Sequence, residues 1–170
     1  MDFPAEPKPE RVTAVIDTRE QTPLDVSPLL SLRATLTTGD YSVRGLEKVI
    51  AIERKSLSDL VSCVGQDRER FDKEIVRLLA YPVRAIVVEA TWAEIEAGDW
   101  RGQVKPAAVL GSCLGWIAQG VPIVMAGSHK KAGEYVAKML YIAARRRWRE
   151  NRIFVTEVMI EGMEPAGTTE

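Results

Sequence analysis

Short apolar runs rich in β-branched residues alternate along this chain with longer stretches whose apolar positions recur every three or four residues. The runs Val12 to Ile16, Val49 to Ile52, Arg84 to Glu89 and Val121 to Met125 are too short for stable helices and read as buried strands. Arg33 to Leu36 reads as a further strand after a loop at Leu24 to Leu32 that holds a short helix, and Tyr41 to Val43 is expected to pair with Val49 to Ile52 across a turn at Arg44-Gly45. Helical spacing begins at Ser56, where Ser-x-x-Asp makes a capping box with Asp59, and restarts at Asp67 with a stripe of Phe71, Ile75, Leu78 and Leu79. Thr91 and Glu94 form a second box. Pro106 to Gln119 is expected to bury Val109, Leu110, Cys113, Leu114 and Ile117, with Gly120 as its stop. A long helix over Ser128 to Glu150 is expected to present Tyr135, Val136, Met139, Leu140, Ile142 and Ala143, followed by an edge strand from Ile153 to Ile160. Strands alternating with helices in this order predict an α/β domain with a mixed sheet.

At 170 residues and 46% hydrophobic content the chain has the length for one well-formed core, so a single domain is expected over 12–160 between mobile tails at 1–11 and 161–170. No run approaches the length of a membrane span and no leader pattern opens the chain, which predicts a soluble, cytoplasmic protein without membrane partners. Cys63 and Cys113 lie in apolar helical patterns and read as buried thiols. A single histidine, His129, excludes multi-histidine metal chemistry and reads as a helix-start residue. Net charge is −1, from 23 basic and 24 acidic residues, so any nucleic-acid grip must come from a local basic face.

Chemistry-bearing residues concentrate where strands end. Val49 to Ile52 runs straight into Glu53-Arg54-Lys55, and on a strand Glu53 and Lys55 share one face. Asp40, after Gly39, would face them from a neighbouring strand, and Asp17 closes the first strand. Magnesium takes one or two carboxylates and keeps several waters, so Asp40 and Glu53 suffice for an Mg2+ or Mn2+ site, with Asp17 beside them and Lys55 near the attacking water. Each piece alone has a plainer meaning. Glu53-Arg54-Lys55 can be a solvated charge cluster, Gly39-Asp40 a hairpin turn, Asp17 a cap paired with Arg19, and Asp59 simply the helix cap.

Taken together, Gly39-Asp40, Glu53-Arg54-Lys55 and Asp59, with Asp17-Thr18-Arg19-Glu20 upstream, resemble the motifs of the XPF-type structure-selective DNA endonucleases. These are a branch of the PD-(D/E)XK superfamily that includes Hef. The resemblance implies a restriction-endonuclease-like core with a mixed central sheet flanked by helices. It implies an active site of Asp17, Glu20, Asp40, Glu53, Arg54, Lys55 and Asp59, and a homodimer acting on branched or flap DNA in repair or recombination. Arg70-Phe71 resembles the family element whose basic residue lies near phosphates, and Arg19 joins it as a DNA contact. The densest basic cluster, Arg145, Arg146, Arg147 and Arg149 around Trp148, suits either DNA or a dimer interface. The chain has too few residues after Arg149 for the tandem helix-hairpin-helix module of archaeal and eukaryotic members, which points to a stand-alone bacterial or phage nuclease. The alternative class is a non-catalytic DNA-binding or scaffold subunit, since the resembled family includes inactive nuclease-like domains.

Overall fold

One reversed strand brings the chemistry of this fold to a single edge. The computed structural model describes residues 3–159 and contains one six-stranded sheet in the order β2-β1-β3-β4-β5-β6. The strands are β1 Thr13–Asp17, β2 Leu30–Ala34, β3 Tyr41–Val43, β4 Ile50–Lys55, β5 Val83–Val88 and β6 Ile123–Met125. β3 is antiparallel to both of its neighbours, β1 and β4, whereas β1 and β2, β4 and β5, and β5 and β6 run parallel. The C-terminal ends of β1, β4 and β5 therefore emerge beside the N-terminal end of β3.

Helices cover both faces: α1 Leu57–Val64, α2 Arg68–Leu79, α3 Trp92–Ala97, α4 Pro106–Ala118 and α5 His129–Ile153. The period of two along each strand sorts side chains between the layers. Ile50 and Ile52 join Ala85, Val87, Val136 and Leu140 on the α5 side, while Ala51 joins Ile86, Val88, Leu60, Phe71, Ile75 and Leu78 on the other. Each fully buried Ile or Leu contributes on the order of 1.5–3 kcal/mol through apolar burial. Both expected capping boxes are present, at Ser56 with Asp59 and at Thr91 with Glu94, and Cys63 and Cys113 are buried free thiols.

Several expectations are corrected. The second strand is Leu30–Ala34 instead of Arg33 to Leu36, because the Leu36 N–H is taken by the Asp17 side chain at 2.6 Å. The preceding loop carries no helix; Leu24 N–H donates to the Tyr41 hydroxyl and Ser27 N–H to Asp25 Oδ1, so side chains satisfy its backbone. On α4 the buried stripe is Val109, Cys113 and Trp116, leaving Leu114 and Ile117 exposed. That helix is apolar nearly all round, so periodicity could not choose its inner face, and the choice falls to Trp116 packing edge-on to Phe71 with centroids 4.9 Å apart.

On α5 the small residues Ala132, Gly133 and Ala137 face inward and Tyr135 and Ile142 face out. A Cβ on Gly133 would lie 2.4 Å from the Asp25 carbonyl, so only glycine permits this approach of the helix to the loop. The edge strand expected from Ile153 is absent through Met159. There the chain stays helical, with Phe154–Met159 as a π-helical turn, and satisfies its backbone locally instead of in a sheet. Residues 3–11, expected as a mobile tail, lie along α5: Phe3 packs on Trp148 and the Tyr141 hydroxyl donates to the Pro7 carbonyl. Ile160 and the tail expected over 161–170 lie outside the described residues, as do residues 1 and 2.

Candidate active site

The site is built on backbone pairing. Gly39 has φ +76°, and a Cβ there would lie 3.0 Å from the Ile52 carbonyl oxygen, so glycine alone lets the chain enter β3 this close to β4. Asp40 N–H then donates to Ile52 O at 2.8 Å, and Asp17 N–H donates to Asp40 O at 2.8 Å. These bonds clamp Asp40 between the ends of β1 and β4. Its side chain is fixed too, since the Arg54 amide donates to Asp40 Oδ2 at 2.8 Å.

Alternation along β4 divides its charged end. Glu53 and Lys55 point to the α1 and α2 side, where Lys55 Nζ reaches Glu53 Oε1 at 2.5 Å and sits 5.1 Å from the centre of the Phe71 ring. Arg54 points to the α5 side. There its Nε donates to Glu89 Oε1 at 2.7 Å and its Nη1 lies 3.4 Å from Glu20 Oε1. His129 Nδ1 donates to the same Glu89 oxygen at 2.6 Å, because the carboxylate can only accept. The Arg54 guanidinium thus ties the end of β4 to the end of β5, the start of α5 and the loop after β1.

The electrostatics set two carboxyls apart. Burial, with the nearby Glu53 charge added to it, pushes the Asp40 carboxyl up to about 7. Glu53 is also pushed up, chiefly by burial, against the lowering influence of Lys55. Lys55 loses some basicity to burial but gains more from Glu53, so it stays an ammonium beyond the usual range. Asp17 differs: burial raises it, yet donors from the Arg19 guanidinium, the Leu36 amide and the Arg19 amide outweigh this and hold it below the ordinary carboxylate range. Glu89 follows the same logic, with bonds from Arg54 and His129 overcoming its burial.

Asp40 and Glu53 open into a cleft of about 480 Å³ that Arg19, Thr37, Gly39, Glu74 and Arg77 also line. Other residues expected in the site stand apart from these. Asp17 accepts four hydrogen bonds, which fills its acceptor capacity and makes it an anchor for Arg19 and for the backbone at Leu36. Glu20 is tied to Arg54 and to the Thr22 amide. Asp59 caps α1, accepting from the Ser56 hydroxyl at 2.6 Å. Arg70 is exposed and pairs with Asp67 at 3.5 Å.

The cluster on α5 lies far from the cleft. Arg145 and Arg149 pair with Glu6, and Arg146 and Arg147 pair with Glu150. A pocket that Arg146 and Arg147 share with Ile50 and Val83 puts this helix end at the starts of β4 and β5, opposite the ends that carry the site. Sequence reasoning missed Glu74, Arg77 and Glu89. The spacing of Phe71, Glu74 and Ile75 shows that Glu74 borders the buried stripe of α2, but not which strand end that border meets.

Among the described residues, no three His, Cys, Asp or Glu side chains close into a metal cage. Asp40 and Glu53 do fit a divalent cation that keeps its waters. Asp40 Oδ1 and Glu53 Oε2 have no donor among the described residues, both are hard oxygens, and both carboxyls are held up by burial in a way that a cation would relieve.

A model of the ERCC4 domain family matches residues 16–139 of this chain. Among solved structures the chain is similar to XPF from Aeropyrum pernix, with a TM-score of 0.63 at 18% identity, covering 77% of this chain and 61% of that one. It is similar also to XPF from Aeropyrum pernix in complex with DNA, with a TM-score of 0.64 at 18% identity, covering 80% and 66%. The chain thus spans less than two thirds of the length of either. Comparison with curated proteins gave no match. The mixed sheet with helices on both faces is the fold that these solved structures share with it.

Proposed function

The chain belongs to the ERCC4 domain family, and from that premise we propose that it is a divalent-metal-dependent endonuclease hydrolysing DNA phosphodiesters. The observation that carries this reading is the meeting of Asp40 and Glu53 at one end of the sheet, in a cleft flanked by Arg19 and Arg77, with Lys55 paired to Glu53 behind them. The likeness to a solved XPF in complex with DNA supports DNA as the substrate.

Asp40 and Glu53 are the residues that would hold Mg2+ or Mn2+. When bound there, the ion supplies charge neutralisation at the phosphate and a more acidic water. Lys55, kept protonated by Glu53, orients water and offsets charge developing on the phosphate; as an ammonium it has no lone pair with which to act as a base. Arg54 works inward: its guanidinium is taken by carboxylates and its amide fixes Asp40, so its part is to position. Asp17 holds Arg19 at the cleft, and Glu20 helps to hold Arg54 on the other face of the sheet.

Preference for branched or flap DNA and a homodimeric state complete the proposal. Cleavage mapping on duplex, single-stranded, flap, fork and four-way DNA, with Mg2+, Mn2+ or a chelator, tests the activity and its selectivity. Absence of cleavage on every substrate with either ion would leave the DNA-binding scaffold in its place. Among the described residues no helix is long and apolar enough to cross a membrane.

A further inference from the structure

The α5 arginines lie at the far end of the sheet, so the residues that hold the DNA backbone at the proposed site must be sought on the cleft itself. Two guanidiniums line it. Arg19, after β1, is anchored to Asp17 through Nε at 2.7 Å and Nη2 at 3.1 Å, and it feels the charges of both Asp40 and Glu74. Arg77, in the last turn of α2, pairs through Nη2 with Glu74 one turn earlier. Glu74 is close enough to Glu53 to push that carboxyl upward, which places the Glu74–Arg77 pair at the mouth of the site.

A guanidinium carries five N–H donors in a planar fork. Glu74 engages Arg77 through Nη2 alone, and Nε and Nη1 have no partner among the described residues, while the side chain is 47% exposed. Such a group is aimed without being used up. An exposed ion pair three residues apart on a helix contributes only about 0.3–0.5 kcal/mol to stability, so holding α2 together does not account for it well. Planar donors facing an acid-floored cleft match the bidentate geometry of phosphate oxygens.

We propose that Arg77, oriented by Glu74, binds a DNA backbone phosphate next to the one that lies against Asp40 and Glu53, in the cleft that Arg19 also lines. Arg77 touches substrate; Glu74 is a positioning residue. This rests on the nuclease reading and adds to it the residue that seats the strand in the cleft.

The test is equilibrium binding of a labelled forked DNA to the full chain in chelator, where no cleavage occurs, over a series of salt concentrations. Arg77→Gln is expected to weaken binding about tenfold and to lower the log-log salt slope by roughly one, as for a lost phosphate contact. Arg77→Lys, which keeps the charge and loses the fork, is expected to recover the slope and only part of the affinity. Arg146→Gln, remote from the cleft, is the control and is expected to change neither. Wild-type binding with an unaltered slope in Arg77→Gln would overturn the inference alone, as would an equal loss in Arg146→Gln. No binding by the wild type would overturn the nuclease reading and this inference with it.

Discussion

Arg54 and Asp40 are joined through the backbone amide of one and the carboxylate of the other, at 2.8 Å, while the Arg54 guanidinium reaches away to Glu89 on the opposite face of the sheet. One residue thereby couples both helical layers to the proposed metal ligand.

That coupling predicts the effect of Glu89→Gln. Arg54 and Glu89 are only 13% and 12% exposed, and removing one charge of such a pair costs about 3 kcal/mol because the other stays buried. Urea denaturation should show a lower midpoint, and the folded fraction should cleave more slowly at saturating cation. Full activity per folded molecule would reduce the pair to a role in stability.

Asp40→Asn should abolish cleavage, by at least about 1000-fold, while leaving the fold and DNA binding largely intact. The amide keeps an oxygen for the Arg54 N–H and nearly the same volume, so circular dichroism should be unchanged. Retention of cation-dependent cleavage by the purified variant would remove Asp40 from the site.

Without a cation, Asp40 stays protonated up to about 7, against 3.8 for an ordinary aspartate. The folded form then binds the extra proton across that window, so the contribution of Asp40 to stability is fully present below about pH 4 and is lost as pH rises through about 7. A divalent ion must displace the proton, so its affinity should rise by about tenfold per pH unit below that point and level off above it. Calorimetric titration at several pH values measures this, and Asp40→Asn should flatten the profile.

Lys55→Ala should lower turnover much more than cation affinity. The ammonium neutralises Glu53 in the free protein, so its loss leaves the carboxylate to a cation while removing the donor beside the water. If saturating cation restored the rate in full, Lys55 would serve only to prepare Glu53.

Replacing Arg145 and Arg149 together should leave the salt slope of DNA binding unchanged and loosen the N-terminal segment. Their partner is Glu6, and they lie toward the starts of β4 and β5. Hydrogen exchange at residues 3–11 should quicken, and sedimentation should show the same mass. A flatter salt slope would bring these arginines back into the DNA interface.

The sequence by itself determined the strands that carry the site and the face each charge takes. Val49 to Ile52 leads straight into Glu53-Arg54-Lys55, and a period of two leaves Glu53 and Lys55 together and Arg54 opposed, whatever surrounds them. Capping boxes at Ser56 and Thr91 were legible for the same reason, since both partners lie within four residues. Only the tertiary structure decided which groups meet across long separations. Arg54 finds Glu89 and His129, 35 and 75 residues away, because β5 runs parallel to β4 and α5 begins at the same edge. Asp17 became an anchor when Arg19 and the Leu36 amide filled its oxygens, and Glu74 and Arg77 entered the cleft through the rotation of α2, which packing against Trp116 fixes. Local patterning sets the direction of a side chain relative to its own backbone; what it meets depends on how elements pack, and that is settled by burial summed over the whole core.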